Sequence, residues 1–244
     1  MKRNTYVIGD IHGALKAARQ LIERLHPKKG DTLIFIGDYV DGWSESAQVI
    51  DYLIDLEKTF DCIFIKGNHD AWCEEWLDNG AINDFWLNNG GGATIESYKE
   101  VNEATRKQHL DFFRKMKLFF VDEQNRLFIH AGFTSMFGPL RETHVSNYYW
   151  DRTLWEMALS MDARIPKSSL HYPKRLLIYS EIFIGHTPTL QFGSDQPMQG
   201  GNVWNVDTGA AFTGKISALD IDTKKFWQSD TCQSLYPDEK GRNK

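Results

Sequence analysis

The sequence predicts an α/β domain with a mixed-sheet core, on three observations. Apolar runs of strand length alternate with helix-period segments from Thr5 to about Trp76, at the spacing of βαβ units. Five apolar runs each pass directly into a Gly, Asp, Asn or His cluster. The 244-residue chain is 41% hydrophobic and shows no internal repeat or low-complexity linker, so it fits a single domain with a well-filled core.

Tyr6-Val7-Ile8 is the first strand and runs into Gly9-Asp10-Ile11-His12-Gly13. Residues 14–25 form a helix, because Leu15, Ala18, Leu21, Ile22 and Leu25 recur every three or four positions. Pro27 and Gly30 close it. Leu33-Ile34-Phe35-Ile36 is the second strand and enters Gly37-Asp38-Tyr39-Val40-Asp41-Gly42. Ser44 or Ser46 can cap a second helix with a buried stripe of Val49, Ile50, Leu53, Ile54 and Leu56. Cys62-Ile63-Phe64-Ile65 is a buried strand, and Lys66-Gly67-Asn68-His69-Asp70 begins a loop after it. Short crossovers of this kind imply parallel strands with ligands gathered at their carboxyl ends.

Residues 71–117 read as a mostly helical, polar insertion. Its Gly90-Gly91-Gly92 lacks the GxxxxGK[ST] pattern of a phosphate loop and reads as a turn. Trp72, Trp76 and Trp86 either pack this insertion onto the body or form an aromatic wall beside the site. Residues 118–121 and 127–129 flank Asp122-Glu123-Gln124-Asn125 as a hairpin, and the second strand enters His130-Ala131-Gly132. Residues 135–179 are irregular, with one helix over 152–161, and are the place for substrate-specific loops. Ile182-Phe183-Ile184 then enters Gly185-His186-Thr187. Residues 203–206, 216–221 and 225–228 suggest an antiparallel meander. The domain is expected to span residues 1–236, with 237–244 a flexible charged tail.

Net charge of -5 argues against a binder of duplex nucleic acid. It leaves room for an anionic substrate, because bound divalent cations reverse the local sign. Cys62, Cys73 and Cys232 are scattered, with no CxxC pair, which disfavours a disulfide framework or a thiolate zinc site. Neither Cys62 nor Cys73 starts a Cys-x5-Arg loop, which disfavours a cysteine-based phosphatase. No run approaches the ~18 apolar residues of a membrane span, and no signal-peptide stretch is visible, so a cytoplasmic protein without a membrane partner is expected.

The chemistry lies in the strand-end clusters. His12, His69, His130 and His186 each sit at or within a few residues of such an end, whereas His26, His109, His144 and His171 lie outside. Carboxylate, imidazole and amide donors without thiolate suit manganese or iron, and also zinc.

Gly9-Asp10-Ile11-His12-Gly13, Gly37-Asp38-Tyr39-Val40-Asp41-Gly42, Gly67-Asn68-His69-Asp70, His130-Ala131-Gly132 and Gly185-His186-Thr187, in this order, resemble the calcineurin-like metallophosphoesterase superfamily. They are most similar to its phosphoprotein phosphatase (PPP) branch, especially bacterial and phage-type serine/threonine phosphatases. The resemblance spans roughly residues 5–210 and implies two sheets packed face to face in an αββα sandwich. It makes Asp10, His12 and Asp38 ligands of one divalent ion. Asn68, His130 and His186 bind the second, and Asp38 bridges both. His69 becomes the general acid with Asp41 orienting it. Arg152, in Tyr149-Trp150-Asp151-Arg152, becomes a phosphate ligand, and Asp207 orders the metal-site loops. One departure stands out: Asp41-Gly42-Trp43 replaces the branch's Asp-Arg-Gly, leaving Arg152, Arg141 or a lysine to compensate.

The function implied is a dinuclear, manganese-favouring phosphatase of phosphomonoesters, acting on phosphoserine or phosphothreonine in proteins or on a small phosphoester. A metal-bridging hydroxide would attack in line. The alternative is a dinucleoside polyphosphate (diadenosine tetraphosphate) hydrolase or other phosphodiesterase of the same superfamily, in which the tryptophans stack on bases.

Overall fold

The computed structural model describes residues 3–243; Met1 and Lys2 of the expected domain, and Lys244 of the expected tail, lie outside the described residues. Among the described residues, ten strands form two sheets: β1 (Thr5–Ile8), β2 (Thr32–Phe35), β3 (Asp61–Phe64), β4 (Phe119–Val121), β5 (Arg126–Ile129), β6 (Glu181–Ile184), β7 (Met198–Gly200), β8 (Val203–Asn205), β9 (Ser217–Asp220) and β10 (Phe226–Gln228). One sheet runs β10-β9-β1-β2-β3 and the other β4-β5-β6-β8-β7. Parallel pairing joins β1, β2 and β3, and separately β5, β6 and β8. Antiparallel strands complete both sheets.

Side chains alternate across each strand, so each sheet has two apolar faces to cover. Val7 and Ile34 are in register and meet Phe128, Phe183, Val206 and Leu219 between the sheets. Phe128 and Phe183 stack there, with ring centroids 5.0 Å apart. Ile8 and Phe35, one residue on, face the helices instead. Each such aliphatic or aromatic side chain contributes about 1.5–3 kcal/mol when fully buried. The result is a helix–sheet–sheet–helix sandwich in a single domain.

The helices are α1 (Leu15–Leu25), α2 (Ser46–Glu57), α3 (Asn68–Asn79), α4 (Asp84–Trp86), α5 (Gly92–Ser97), α6 (Glu103–Lys115), α7 (Asn147–Trp150), α8 (Thr153–Ser160) and α9 (Cys232–Leu235). Residues of α1, α2, α3, α6 and α9 share the core over the first sheet, and those of α7 and α8 cover the second. No helix among the described residues is long and apolar enough to cross a membrane.

Four expectations need correction. The late strands are not one meander: β8 pairs parallel with β6 in the second sheet, while β9 and β10 belong to the first. Spacing along the chain does not reveal a crossing between sheets. Asn68 and His69 do not begin a loop; they are the first two residues of α3, after an extended Gly67. Ser46 does not cap α2 with its side chain; its hydroxyl accepts the Asp41 N–H at 3.1 Å. Residues 237–243 of the expected flexible tail are folded back onto the body. Glu239 accepts from the Ser44 hydroxyl (2.8 Å), and the Arg242 N–H donates to the Ala211 carbonyl (2.8 Å).

Candidate metal centre and catalytic site

The carboxyl ends of β1, β2, β3, β5 and β6 bring Asp10, His12, Asp38, Asn68, His130 and His186 to one rim, all buried. His12, Asp38, Asp41 and His186 hold φ angles of 53°, 53°, 72° and 66°. A non-glycine residue there costs on the order of 1–3 kcal/mol, and such strain gathers where side chains must be aimed. Among the described residues, only His26, Asn125 and Lys224 share this conformation elsewhere, so four of the seven such non-glycine residues gather at this rim.

Asp38 is central. Its Oδ2 lies 3.6 Å from His12 Nε2 and 3.3 Å from His130 Nε2, and His12 Nε2 lies 3.8 Å from Asp10 Oδ2. His12 Nδ1 donates to the Asp41 carbonyl (3.0 Å) and His130 Nδ1 to the Ile36 carbonyl (2.8 Å). Those acceptors fix the tautomers and leave both Nε2 lone pairs facing the carboxylates. The His130 and His186 rings are 5.1 Å apart. Asn68 Oδ1, His130 Nε2 and His186 Nε2 are buried with no hydrogen-bond partner. An unsatisfied buried polar atom costs about 1–3 kcal/mol, so three together call for a ligand.

Electrostatics point the same way. Desolvation pushes the His12 and His186 imidazoles well below their ordinary range, which keeps them neutral. Desolvation also pushes the Asp10 carboxyl well up, and the charges of Asp207 and Asp38 act in the same direction. Burial would raise Asp38 too, but His130, His69 and His12 hold it well below its ordinary value. Burial would lower the His130 imidazole, but the Asp38 carboxylate outweighs it and raises His130 above its ordinary value. Divalent cations would offset the charge of the carboxylates gathered here. His12 with Asp38, and Asp38 with His130 and His186, lie in two groups able to hold an ion, Asp38 being common to both. Cysteine takes no part: burial pushes the Cys73 thiol well up and the Cys62 thiol to about 12.

Asp70 ties the rim together. Its carboxylate accepts the N–H groups of Asp38 (2.7 Å), Tyr39 (2.9 Å) and Gly67 (2.8 Å), while Asp38 Oδ1 accepts the His69 N–H at the start of α3 (3.0 Å). The two loops therefore hold each other. Gly67 is required by this closeness, since a Cβ there would stand 2.1 Å from Asp38 Oδ1.

His69 lies close enough to His12 and Asp38 to share an ion with them, yet both its ring nitrogens are already engaged. Nδ1 donates to Asp41 Oδ2 at 2.6 Å. Asp41 is fully buried and also accepts from Trp86 Nε1 (2.7 Å) and the Thr94 hydroxyl (2.5 Å). Nε2 accepts from Arg242 Nη1 at 3.0 Å. Thr94 and Arg242 were not legible as site residues, lying in the insertion and the expected tail, and Trp86, expected as packing or an aromatic wall, proves to be a donor to Asp41.

The tryptophans divide. Trp86 is buried under Asp41, and Trp76 packs between Trp86 (5.9 Å) and Tyr98 (5.4 Å). Trp72 instead faces His69 at 5.1 Å and meets Phe85 (5.6 Å) and Trp150 (5.2 Å). Trp150 in turn stands 5.7 Å from His186. Phe85 is 59% exposed, so this aromatic wall opens to solvent. Arg152 is exposed at the same rim, its Nη1 3.4 Å from the Thr187 hydroxyl. Asp207 is buried, accepts the Gly209 N–H (2.9 Å), and is pushed up to about 6, chiefly by burial. His109 lies apart, between Tyr98 and Asp51.

The profile of the calcineurin-like phosphoesterases matches residues 4–211. The chain belongs to that family. Among curated proteins, this phosphoesterase is 26% identical over 230 residues to bis(5'-nucleosyl)-tetraphosphatase PrpE [asymmetrical] of Anoxybacillus flavithermus, covering 87% of this chain and 88% of the relative. It is 24% identical over 289 residues to the symmetrical bis(5'-nucleosyl)-tetraphosphatase of Pseudomonas fluorescens, covering 96% of each. A solved Saccharomyces cerevisiae protein serine/threonine phosphatase superposes with a TM-score of 0.64 at 16% identity, over 99% of this chain and 84% of that one. That likeness establishes the fold alone. Membership of this family implies divalent metal ions, and the donor set just described fits them.

Proposed function

We propose that this phosphoesterase hydrolyses dinucleoside tetraphosphates with two divalent ions, manganese being favoured by the oxygen and nitrogen donors. The observation that carries the substrate is the aromatic wall of Trp72, Phe85 and Trp150 against His69 and His186. Phe85 opens that wall to solvent beside both histidines, where a base could stack. Stacking of this kind contributes about 1–3 kcal/mol per base. The curated relatives' names favour the same substrate.

In this reading Asp10, His12 and Asp38 hold one ion, Asn68, His130 and His186 the other, and Asp38 serves both. Bound there, the ions acidify water and offset the charge of the phosphoryl oxygens. His69 Nε2 gives its proton to the departing oxygen, and Asp41 holds the ring and stabilises its charged form. Arg152 meets phosphate at the rim with its forked guanidinium.

The His69–Asp41 pair favours a second reading, hydrolysis of phosphoserine or phosphothreonine. An alkoxide needs the proton of a general acid far more than a departing nucleotide phosphate does. Turnover of diadenosine tetraphosphate beside a phosphoserine peptide by the manganese-loaded protein separates the two. A larger kcat/KM for the dinucleotide is expected; preference for the peptide would make the second reading the right one.

A further inference from the structure

Arg242 is the third residue from the end of the sequence, yet its guanidinium reaches the centre of the site. Nη1 donates to His69 Nε2 (3.0 Å) and Nη2 to Asn89 Oδ1 (2.9 Å), while Nε is buried with no partner. The carboxylates of Asp38, Asp41, Asp207 and Asp10 lie close enough to act on its charge. A buried guanidinium is costly unless its donors are met. Its two partners here are neutral, because the His69 nitrogen that accepts from it carries no proton. Divalent ions among the aspartates would take up much of their charge. The guanidinium, which lies over the Phe212 ring at 5.4 Å, then keeps donors unmet beside a rim built for anions.

The chain holds the arginine there by a built anchor. Tyr236 stacks on the buried Trp43 (5.2 Å, 26° between planes), accepts the Lys16 N–H (2.9 Å) and donates to Glu45. Gln233 Nε2 donates to the Tyr236 and Glu239 carbonyls, closing the turn between them (3.1 and 2.8 Å). Trp43 Nε1 donates to the Ala210 carbonyl (2.7 Å), and the Arg242 N–H to the Ala211 carbonyl next to it. Gly42 leaves the space that the side chain crosses: a Cβ at Gly42 would lie 3.3 Å from Arg242 Cγ, and its φ of 118° suits glycine alone. The Gly42-Trp43 dipeptide therefore both clears a path for Arg242 and anchors the strand of chain that carries it.

We infer that Arg242, delivered by the C-terminal segment, is a phosphate ligand of the site: it forks onto non-bridging oxygens of the substrate, and in their absence rests on His69 Nε2. Leaving Nε2 when phosphate arrives would open that nitrogen to a proton from solvent, the one the leaving group later takes. The inference rests on the phosphohydrolase reading for its substrate, but the binding of phosphate tests it separately.

The experiment compares full-length wild type, Arg242→Ala and Arg242→Lys, all manganese-loaded. Inorganic phosphate is titrated by calorimetry, and KM and kcat are measured on whichever phosphoester the wild type turns over. Arg242→Ala should weaken phosphate binding and raise KM, each by about tenfold or more, since a hydrogen bond to a charged group is of that size. Arg242→Lys should recover part of both, keeping the charge without the fork. Bound manganese and Tm should match wild type. Unchanged phosphate affinity in Arg242→Ala would overturn the inference, as would a rise in kcat at unchanged affinity, which would make the segment a restraint. A loss of bound manganese would likewise make Arg242 structural. Wild type that binds phosphate through Arg242 but turns over no phosphoester would leave the ligand assignment standing and defeat the functional reading.

Discussion

Asp41→Asn isolates the charge behind His69 while changing little else. The carboxylate takes three donors, His69 Nδ1, Trp86 Nε1 and the Thr94 hydroxyl, on two oxygens. An asparagine oxygen can keep the first two on one side. Its amide can then donate to the Thr94 hydroxyl, which turns its own hydrogen elsewhere. Shape is preserved and the negative charge 2.6 Å from the imidazole is lost. A hydrogen bond to a charged group is worth about 1.5–3 kcal/mol. Coulomb's law gives about 4 kcal/mol for charges 4 Å apart at an effective dielectric near 20. The smaller range already corresponds to a fall in kcat of about 10–150-fold wherever protonation of the leaving group limits the rate. The assay is kcat across leaving groups, from an alkyl phosphate or phosphoserine peptide to an activated aryl phosphate and diadenosine tetraphosphate. The alkyl substrates should show the full loss, and the other two should stay close to wild type. Equal losses on every substrate, with unchanged Tm, would refute the reasoning, because a proton donor's contribution must depend on what it protonates.

Three more outcomes are expected. Asp38→Asn removes the carboxylate common to both groups of donors, so manganese bound per chain, read by atomic emission, should fall together with nearly all activity. Trp72→Ala removes one face of the aromatic wall; KM for diadenosine tetraphosphate should rise about tenfold, with little change for a small aryl phosphate. Glu142 tests the loop over 134–147. Desolvation pushes its carboxyl up, but the Thr134 N–H, the Asn147 amide and the Ser135 and Thr143 N–H groups outweigh it and hold it down at about 2, against an ordinary 4.5. A carboxylate lowered on folding adds stability above pH 4.5 and loses it as pH falls toward 2. Wild type should therefore lose Tm more steeply than Glu142→Gln across that window; parallel curves would contradict the assignment.

What could be read from the sequence was what local pattern encodes. Val7, Ile34, Phe128 and Phe183 announce buried strands by their neighbours alone, and the polar clusters that follow mark the rim. Asp10, His12, Asp38, Asn68, His130 and His186 converge as the order of motifs implied. Pairing between distant segments was not encoded locally, so the passage from β8 to β9 across sheets was missed. The supporting residues were missed for the same reason. Asp70 was read as part of a loop-starting cluster, yet it fastens the Asp38 and Gly67 loops together. Trp86 and Thr94 sit in a polar insertion whose pattern says nothing of Asp41. Arg242 was hidden by charge: a short Lys- and Arg-containing terminus reads as solvated unless something anchors it, and the anchor, Trp43 under Tyr236, joins residues almost two hundred positions apart. The only local signal was Gly42 itself, where a missing side chain implied that another must fill the gap.

The central claim is that the rim holds two cations sharing Asp38. An anomalous difference map from crystals of the manganese-loaded protein, recorded near the manganese edge, tests it most directly. Two peaks are predicted, one among Asp10, His12 and Asp38 and one among Asp38, Asn68, His130 and His186, with His69 still on Asp41. A single peak, or a peak coordinated by His69, would contradict the account.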